Sequence, residues 1–179
     1  MNLKSYSFSI FILLIFLPFI GNSATYYCRA NGNWTTASTW SLTSCAGTAA
    51  ATTPGAGDDV IICAGRTVTM NGNPASCLSL TVNGTANWTS AFTTNVGSGG
   101  LTLNTGAALS GSAVGILNVA GATNQPSGAL STIGGITIVF SGTTTLSGTL
   151  TFNSTGGTKT FSNIIINAGA NFSSSVAET

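Results

Sequence analysis

The feature that most constrains this chain is a short unit that it keeps repeating. The unit reads Leu80-Thr81-Val82-Asn83-Gly84-Thr85-Ala86-Asn87-Trp88. It returns as Leu101-Thr102-Leu103-Asn104-Thr105-Gly106-Ala107-Ala108-Leu109 and as Ile164-Ile165-Ile166-Asn167-Ala168-Gly169-Ala170-Asn171-Phe172. In each copy two aliphatic residues two apart precede an Asn, with Ala three later and a large apolar residue five later. Weaker copies stand at Val68-Thr69-Met70-Asn71 and Leu150-Thr151-Phe152-Asn153, and Ser or Ala replaces the Asn at Ile138-Val139-Phe140-Ser141 and Leu117-Asn118-Val119-Ala120.

Alternation of period two puts the first and third residues of each unit on one face of a strand and the middle residue on the other. The following Asn and Gly turn the chain, because both tolerate positive φ where β-branched residues do not. One unit cannot fold alone. Its two inward aliphatics contribute roughly 1.5–3 kcal/mol each, whereas ordering each residue costs about 1–2 kcal/mol. Such units become stable when neighbours stack, pair their backbones and close a shared core.

The repeat turn residues Asn71, Asn83, Asn104, Asn153 and Asn167, with Ala120 and Ser141 in equivalent places, are separated by 12, 21, 16, 21, 12 and 14 residues in chain order. The longer separations suit one coil of a β-solenoid and the shorter ones successive strands within a coil, or hairpins. An antiparallel β-sandwich, built of short strands with Gly and Asn turns, is the alternative architecture. Helix formers are scarce and no apolar stripe of helical period occurs, so the fold class is all-β, with the parallel solenoid preferred.

Residues 1–24 read as a secretory signal peptide: Lys4 in the positive region, an apolar run from Phe8 to Ile20, and small residues at Gly21-Asn22-Ser23-Ala24. The apolar run is short of the ~20 residues needed to span a bilayer. An exported chain of about 155 residues (179 − 24) is expected, with no membrane insertion after cleavage. Its domain plan is a Cys- and Trp-containing cap with the first strands at 25–77, continuous with solenoid repeats at 78–179.

Beyond the signal, Arg29, Arg66 and Lys159 balance Asp58, Asp59 and Glu178. Nucleic-acid binding needs clustered Lys and Arg and is not expected, nor is binding to an anionic membrane. Charged residues are 4% of the chain, against about 25% in ordinary globular proteins. The surface is therefore Thr, Ser, Asn and Gly, and self-association is one outcome of so little charge.

All four cysteines lie between Tyr26 and Cys77. In an exported chain an even count favours disulfides, and zinc is disfavoured because the chain has no His and no Cys-x2-Cys pair. Of the three connectivities, the expected one is Cys28–Cys45 with Cys63–Cys77, which closes short local loops. A stapled segment of this kind would cover the open end of a solenoid.

Within this region Gly32-Asn33-Trp34-Thr35-Thr36-Ala37-Ser38-Thr39-Trp40-Ser41 precedes Pro54-Gly55-Ala56-Gly57-Asp58-Asp59-Val60-Ile61-Ile62 and then Gly65-Arg66-Thr67-Val68-Thr69. The order resembles the opening of bacterial surface β-solenoids of the G8 type, and the amino-terminal region of MshQ-type proteins associated with mannose-sensitive haemagglutinin (MSHA) pili. The resemblance covers about residues 26–90. It implies a right-handed parallel β-helix displayed outside the cell, often at the start of a longer polypeptide.

Catalysis is not expected. The chain has no His for general-base chemistry, and its adjacent acids Asp58 and Asp59 point to opposite faces of a strand. They are better read as ending a Gly-rich turn by accepting hydrogen bonds from its amides than as calcium ligands, which come in sets of six to eight oxygens. No cofactor is implied. Trp34, Trp40 and Trp88 have two readings: a platform that stacks on sugar rings, or core packing of the cap against the first coil. The function expected is a non-catalytic structural or adhesion module at the cell surface, whose partners are surface polysaccharide or other envelope proteins. The alternatives are a carbohydrate-binding module using exposed Trp rings and a piece of a larger polysaccharide-processing surface protein.

Overall fold

The computed structural model describes residues 23–111, 114–152 and 156–174. Most of the expected signal peptide, at 1–22, and Asn153 lie outside the described residues.

The chain winds as a β-solenoid in which successive coils contribute strands to two sheets. The first coil holds β1 (Thr25–Cys28), β2 (Gly32–Asn33), a turn of 3-10 helix (Ala37–Thr39) and β3 (Trp40–Ser41). Then follow β4 (Asp59–Ile62) with β5 (Thr67–Thr69), β6 (Ala75–Val82) with β7 (Thr85–Trp88), and β8 (Thr93–Leu103) with β9 (Ala108–Gly111). The next coil carries β10 (Ile116–Val119), β11 (Thr123–Gln125) and β12 (Leu130–Ile133); the last two carry β13 (Thr137–Leu146) with β14 (Thr149–Phe152), and β15 (Lys159–Ile166) with β16 (Asn171–Ser174). The second sheet runs β2-β5-β7-β9-β12-β14-β16. Its pairings, and those of the first sheet apart from β1–β3, are parallel, so the sandwich alternative is set aside.

The long strands of the first sheet bend in the middle. Register shifts fall between Cys77 and Ser79 in β6 and between Phe140 and Thr143 in β13; in the coil between them the bend separates β10 from β11. The corner is a column of touching backbones. A Cβ on Gly142 would meet the carbonyl of Gly121, one on Gly121 would meet Ser98 O and Gly100 N, and one on Gly100 would meet Ala122 O. Only glycine fits such a stack.

Inward residues form columns along the axis. Val60, Leu80 and Leu101 align in one, and Ile62, Val82 and Leu103 in the next, all essentially without solvent contact. Polar residues then interrupt the aliphatic columns. Thr123 and Thr144 continue the first, and Gln125 stands in register with Leu146 in the second. Gln125 Nε2 donates to Ser131 Oγ at 2.6 Å and to Thr149 O at 2.6 Å, while the hydroxyls of Thr123 and Thr144 and the Gln125 carbonyl have no partner among the described residues. At the far end Phe140 stacks on Phe161 at 4.9 Å and Phe152 meets Phe172 edge-on at 4.7 Å, and Phe161 bridges the two sheets by meeting Phe152 at 6.0 Å and Phe172 at 5.9 Å.

The expected boundary at residue 77 falls inside β6, because the parallel ladder already begins at β1; the part outside the ladder is shorter, chiefly the segment from the 3-10 turn to Asp58. The repeats, in turn, are not one column. The units at 80, 101 and 164 end the long strands of the first sheet, those at 117 and 138 start that sheet's bent strands, and those at 68 and 150 lie in the second sheet. The irregular spacing thus records three positions around each coil, and one coil takes 21 residues from Asn83 to Asn104 and 23 from Asn95 to Asn118.

Candidate functional site

The cap is held by one disulfide, Cys45–Cys63, with Cα atoms 6.0 Å apart. This replaces the expected Cys28–Cys45 and Cys63–Cys77 pairs. Strand register decides it: Cys28 ends β1 facing the core and Cys77 faces the core of the next sheet segment beside Val96, whereas Cys63 leaves β4 at a corner that the 42–58 loop can reach. Cys28 and Cys77 are free and buried. Cys28 Sγ donates to Ala30 O at 3.2 Å and burial raises its pKa. Burial, then the charges of Asp59 and Asp58, push the Cys77 thiol up to about 12. Both thiols stay protonated near neutrality and act as small hydrophobes.

The tryptophans are not a sugar platform. Trp34 and Trp40 meet edge-on at 5.2 Å, Tyr26 packs edge-on against Trp40 at 6.4 Å, and Trp40 Nε1 donates to Trp34 O at 2.8 Å. Trp88 is fully buried, packs against Gly111 and Gly115, and donates from Nε1 to Thr94 Oγ1 at 3.1 Å. All three are core, which agrees with the packing reading and corrects the carbohydrate-binding one. Trp88 also lies opposite Gly111 rather than at the level of Leu109, because the turn after Asn104 is longer than the turn after Asn83.

Asp58 serves the cap, and Asp59 links β4 to β6. Asp58 accepts from Gly55 N at 2.9 Å and Ala24 N at 3.0 Å, and Asp59 accepts a short hydrogen bond from Ser79 Oγ. Arg29 Nε donates to Gly47 O at 2.7 Å and so holds the same loop. No group of three or more His, Cys, Asp or Glu side chains could hold a metal among the described residues.

The described repeat residues Asn71, Asn83, Asn104 and Asn167 are ladder rungs rather than left-handed turn residues, since no described non-glycine residue has positive φ. Gly106 and Gly169 take that conformation instead, at φ 83° and 81°. Asn104 Nδ2 donates to Asn83 Oδ1 at 2.7 Å, Asn167 Nδ2 to Ser147 Oγ at 2.8 Å, and Asn71 exchanges bonds with Thr35. A second ladder escapes the sequence reading. Asn118 Nδ2 donates to Asn95 Oδ1 at 3.0 Å on the outer face of β8 and β10, and Ser110 Oγ to Asn87 Oδ1 at 3.1 Å on the outer face of the second sheet. The shared spacing of 23 residues is the signal that could have found it.

The Asn95–Asn118 ladder lies in a groove of about 440 Å³ that runs along the axis beside the bend in the first sheet. Its walls include Ser76, Gly97, Ala120 and Ser141, and Ala56 of the disulfide-tethered loop borders it. No charged side chain lines it. The outer face of the second sheet is also uncharged, with Thr67, Thr85 and Ala108 in one row and Thr69, Asn87 and Ser110 in the next. No protein-family model, curated protein or solved structure matches the chain.

Proposed function

We propose that the protein is an exported, non-catalytic structural or adhesion module of the cell surface, which engages envelope polysaccharide or other envelope proteins through its long uncharged faces. The observation that carries this reading is the pair of outer faces built from rows of Thr, Ser and Asn, with few charged side chains among them and Lys159 turned to the backbone carbonyls of Ile136, Gly156 and Gly157. Asp58 and Arg29 tie down the loop between β3 and β4 and Asp59 bonds Ser79 of the next coil, which leaves most of the long faces to neutral hydrogen-bonding groups. The Cys45–Cys63 disulfide supports an oxidising compartment. The signal-like leader and the resemblance of residues 26–90 to surface solenoids support export and display.

Co-sedimentation of the purified, oxidised protein with isolated cell envelopes tests the proposal. Binding through neutral groups is expected to persist from low to high salt, because screening weakens only charge–charge contacts. Absence of binding, or binding abolished by moderate salt, would contradict it.

A further inference from the structure

We infer that the groove along β6, β8 and β10 is a binding site for a neutral, hydroxyl-rich chain, a short stretch of uncharged polysaccharide lying parallel to the solenoid axis. The inference deepens the surface-module reading and rests on it. Outward-facing Ser76, Asn95 and Asn118 occupy one row on successive coils, with neighbouring strands about 4.8 Å apart. Val139 stands in register with Asn118 on the next coil, so the polar row spans two such steps, about 10 Å; Ser141, in the adjoining row with Gly97 and Ala120, carries the lining one coil further, to the length of a short oligosaccharide.

The side chains suit hydroxyl groups. Within the ladder the Asn118 amide donates to the Asn95 carbonyl. This leaves the Asn95 amide nitrogen and the Asn118 carbonyl oxygen without partners among the described residues. A site that presents donors and acceptors together matches a sugar hydroxyl, which both donates and accepts. Gly97 and Ala120 offer low apolar surface between the polar rungs for the C–H face of a ring.

The same geometry disfavours other extended ligands. Strand addition by a peptide needs an open backbone edge, and here the main chains of β6, β8 and β10 are paired to one another from coil to coil. An acidic polymer would find no Lys or Arg in the lining. Ala56 borders the groove on the loop held by Cys45–Cys63 and by the Asp58–Gly55 hydrogen bond, so the disulfide shapes the site.

The test is titration of the isotope-labelled, oxidised protein with cellohexaose and laminarihexaose, read by amide NMR. The expected result is saturable shifts at Gly97, Ala120 and the side-chain amides of Asn95 and Asn118 with at least one of these neutral hexasaccharides. A chain combining Asn95→Leu with Asn118→Leu should lose at least tenfold in affinity. Ala120→Arg, which fills the groove from an exposed position without touching the core, should do the same, and Arg66→Gln, in the exposed turn between β4 and β5, should change nothing. Absence of shifts in the groove at saturating sugar, or equal or tighter binding of an acidic hexagalacturonate, would overturn the inference. Co-sedimentation separates the two proposals. Envelope binding retained by the Asn95/Asn118 and Ala120→Arg variants sinks the groove alone, whereas no envelope binding by the unaltered protein sinks both.

Discussion

Gly142→Ala is the sharpest test of the stacked corner that bends the first sheet. The added Cβ would run into the carbonyl carbon and oxygen of Gly121 and lie 2.9 Å from Ala122 N. All three obstacles are backbone, so no side chain can rotate away and the coils themselves must move apart. Forced overpacking of this kind costs about 1–3 kcal/mol. Loss of an adjacent inter-coil hydrogen bond adds about 0.5–1.5 kcal/mol, so a destabilisation of about 2–4 kcal/mol is expected. For a domain of this size each kcal/mol shifts Tm by about 2–4 °C, and the melting point should fall by roughly 5–15 °C. Gly57→Ala is the control, because nothing lies within 4 Å of the place its Cβ would take and its φ is not positive. It should be neutral or stabilising by up to about 1 kcal/mol through the unfolded chain. Circular dichroism melts and urea titrations of the two variants read the difference. A Gly142→Ala protein within about 0.5 kcal/mol of the parent would refute the stacked-corner account, since an ordinary surface substitution costs no more.

Three further outcomes follow from the same contacts. Thr144→Val keeps the shape of a fully buried side chain and removes a hydroxyl that has no partner among the described residues; it should stabilise by about 1 kcal/mol, and a lower urea midpoint would show that the hydroxyl is bonded. Replacing Cys45 and Cys63 together by Ser opens an 18-residue loop and should cost about 3 kcal/mol, seen as a lower Tm than that of the oxidised parent; an unchanged Tm would contradict a stabilising cap. Cys77 has its folded pKa raised from 9.0 to about 12, so its contribution is complete below pH 9 and is lost as the pH climbs towards 12. Between pH 7 and 10.5 the parent should therefore lose about 2 kcal/mol more than Cys77→Ala, and parallel urea midpoints for the two proteins would deny the thiol's burial.

Much of the fold was legible because inward aliphatics must recur wherever a coil passes the core. Leu80, Leu101 and Ile164 announced themselves by alternation alone, and the 21-residue step from Asn83 to Asn104 is one turn of the solenoid. Assignment of units to sheets was hidden, because Val68-Thr69-Met70 and Leu80-Thr81-Val82 have the same local pattern and differ only in which coil wall they face. Cysteine pairing was hidden for a related reason. Proximity along the chain favoured local loops, but the pairing follows the side on which each strand presents its residue, and Cys28 and Cys77 present theirs inward. Trp88 shows its burial in sequence by standing where Leu109 and Phe172 stand in the repeat, whereas Trp34 and Trp40 carry no such sign and only their ring contacts place them in the core. The groove could not be read at all. It arises where a bend in one sheet meets a loop anchored from a distant cysteine, and that loop is not local to Asn95 or Asn118.

The most direct test of the surface-module account is fractionation of the native organism, with an antibody to the 25–174 segment and intact-mass analysis after alkylation under native and denaturing conditions. The account predicts protein accessible on unbroken cells and recovered with the envelope. Cys45 and Cys63 should be oxidised, and two further thiols, Cys28 and Cys77, should be alkylated only after unfolding. Recovery from the cell interior with four reactive thiols would contradict it.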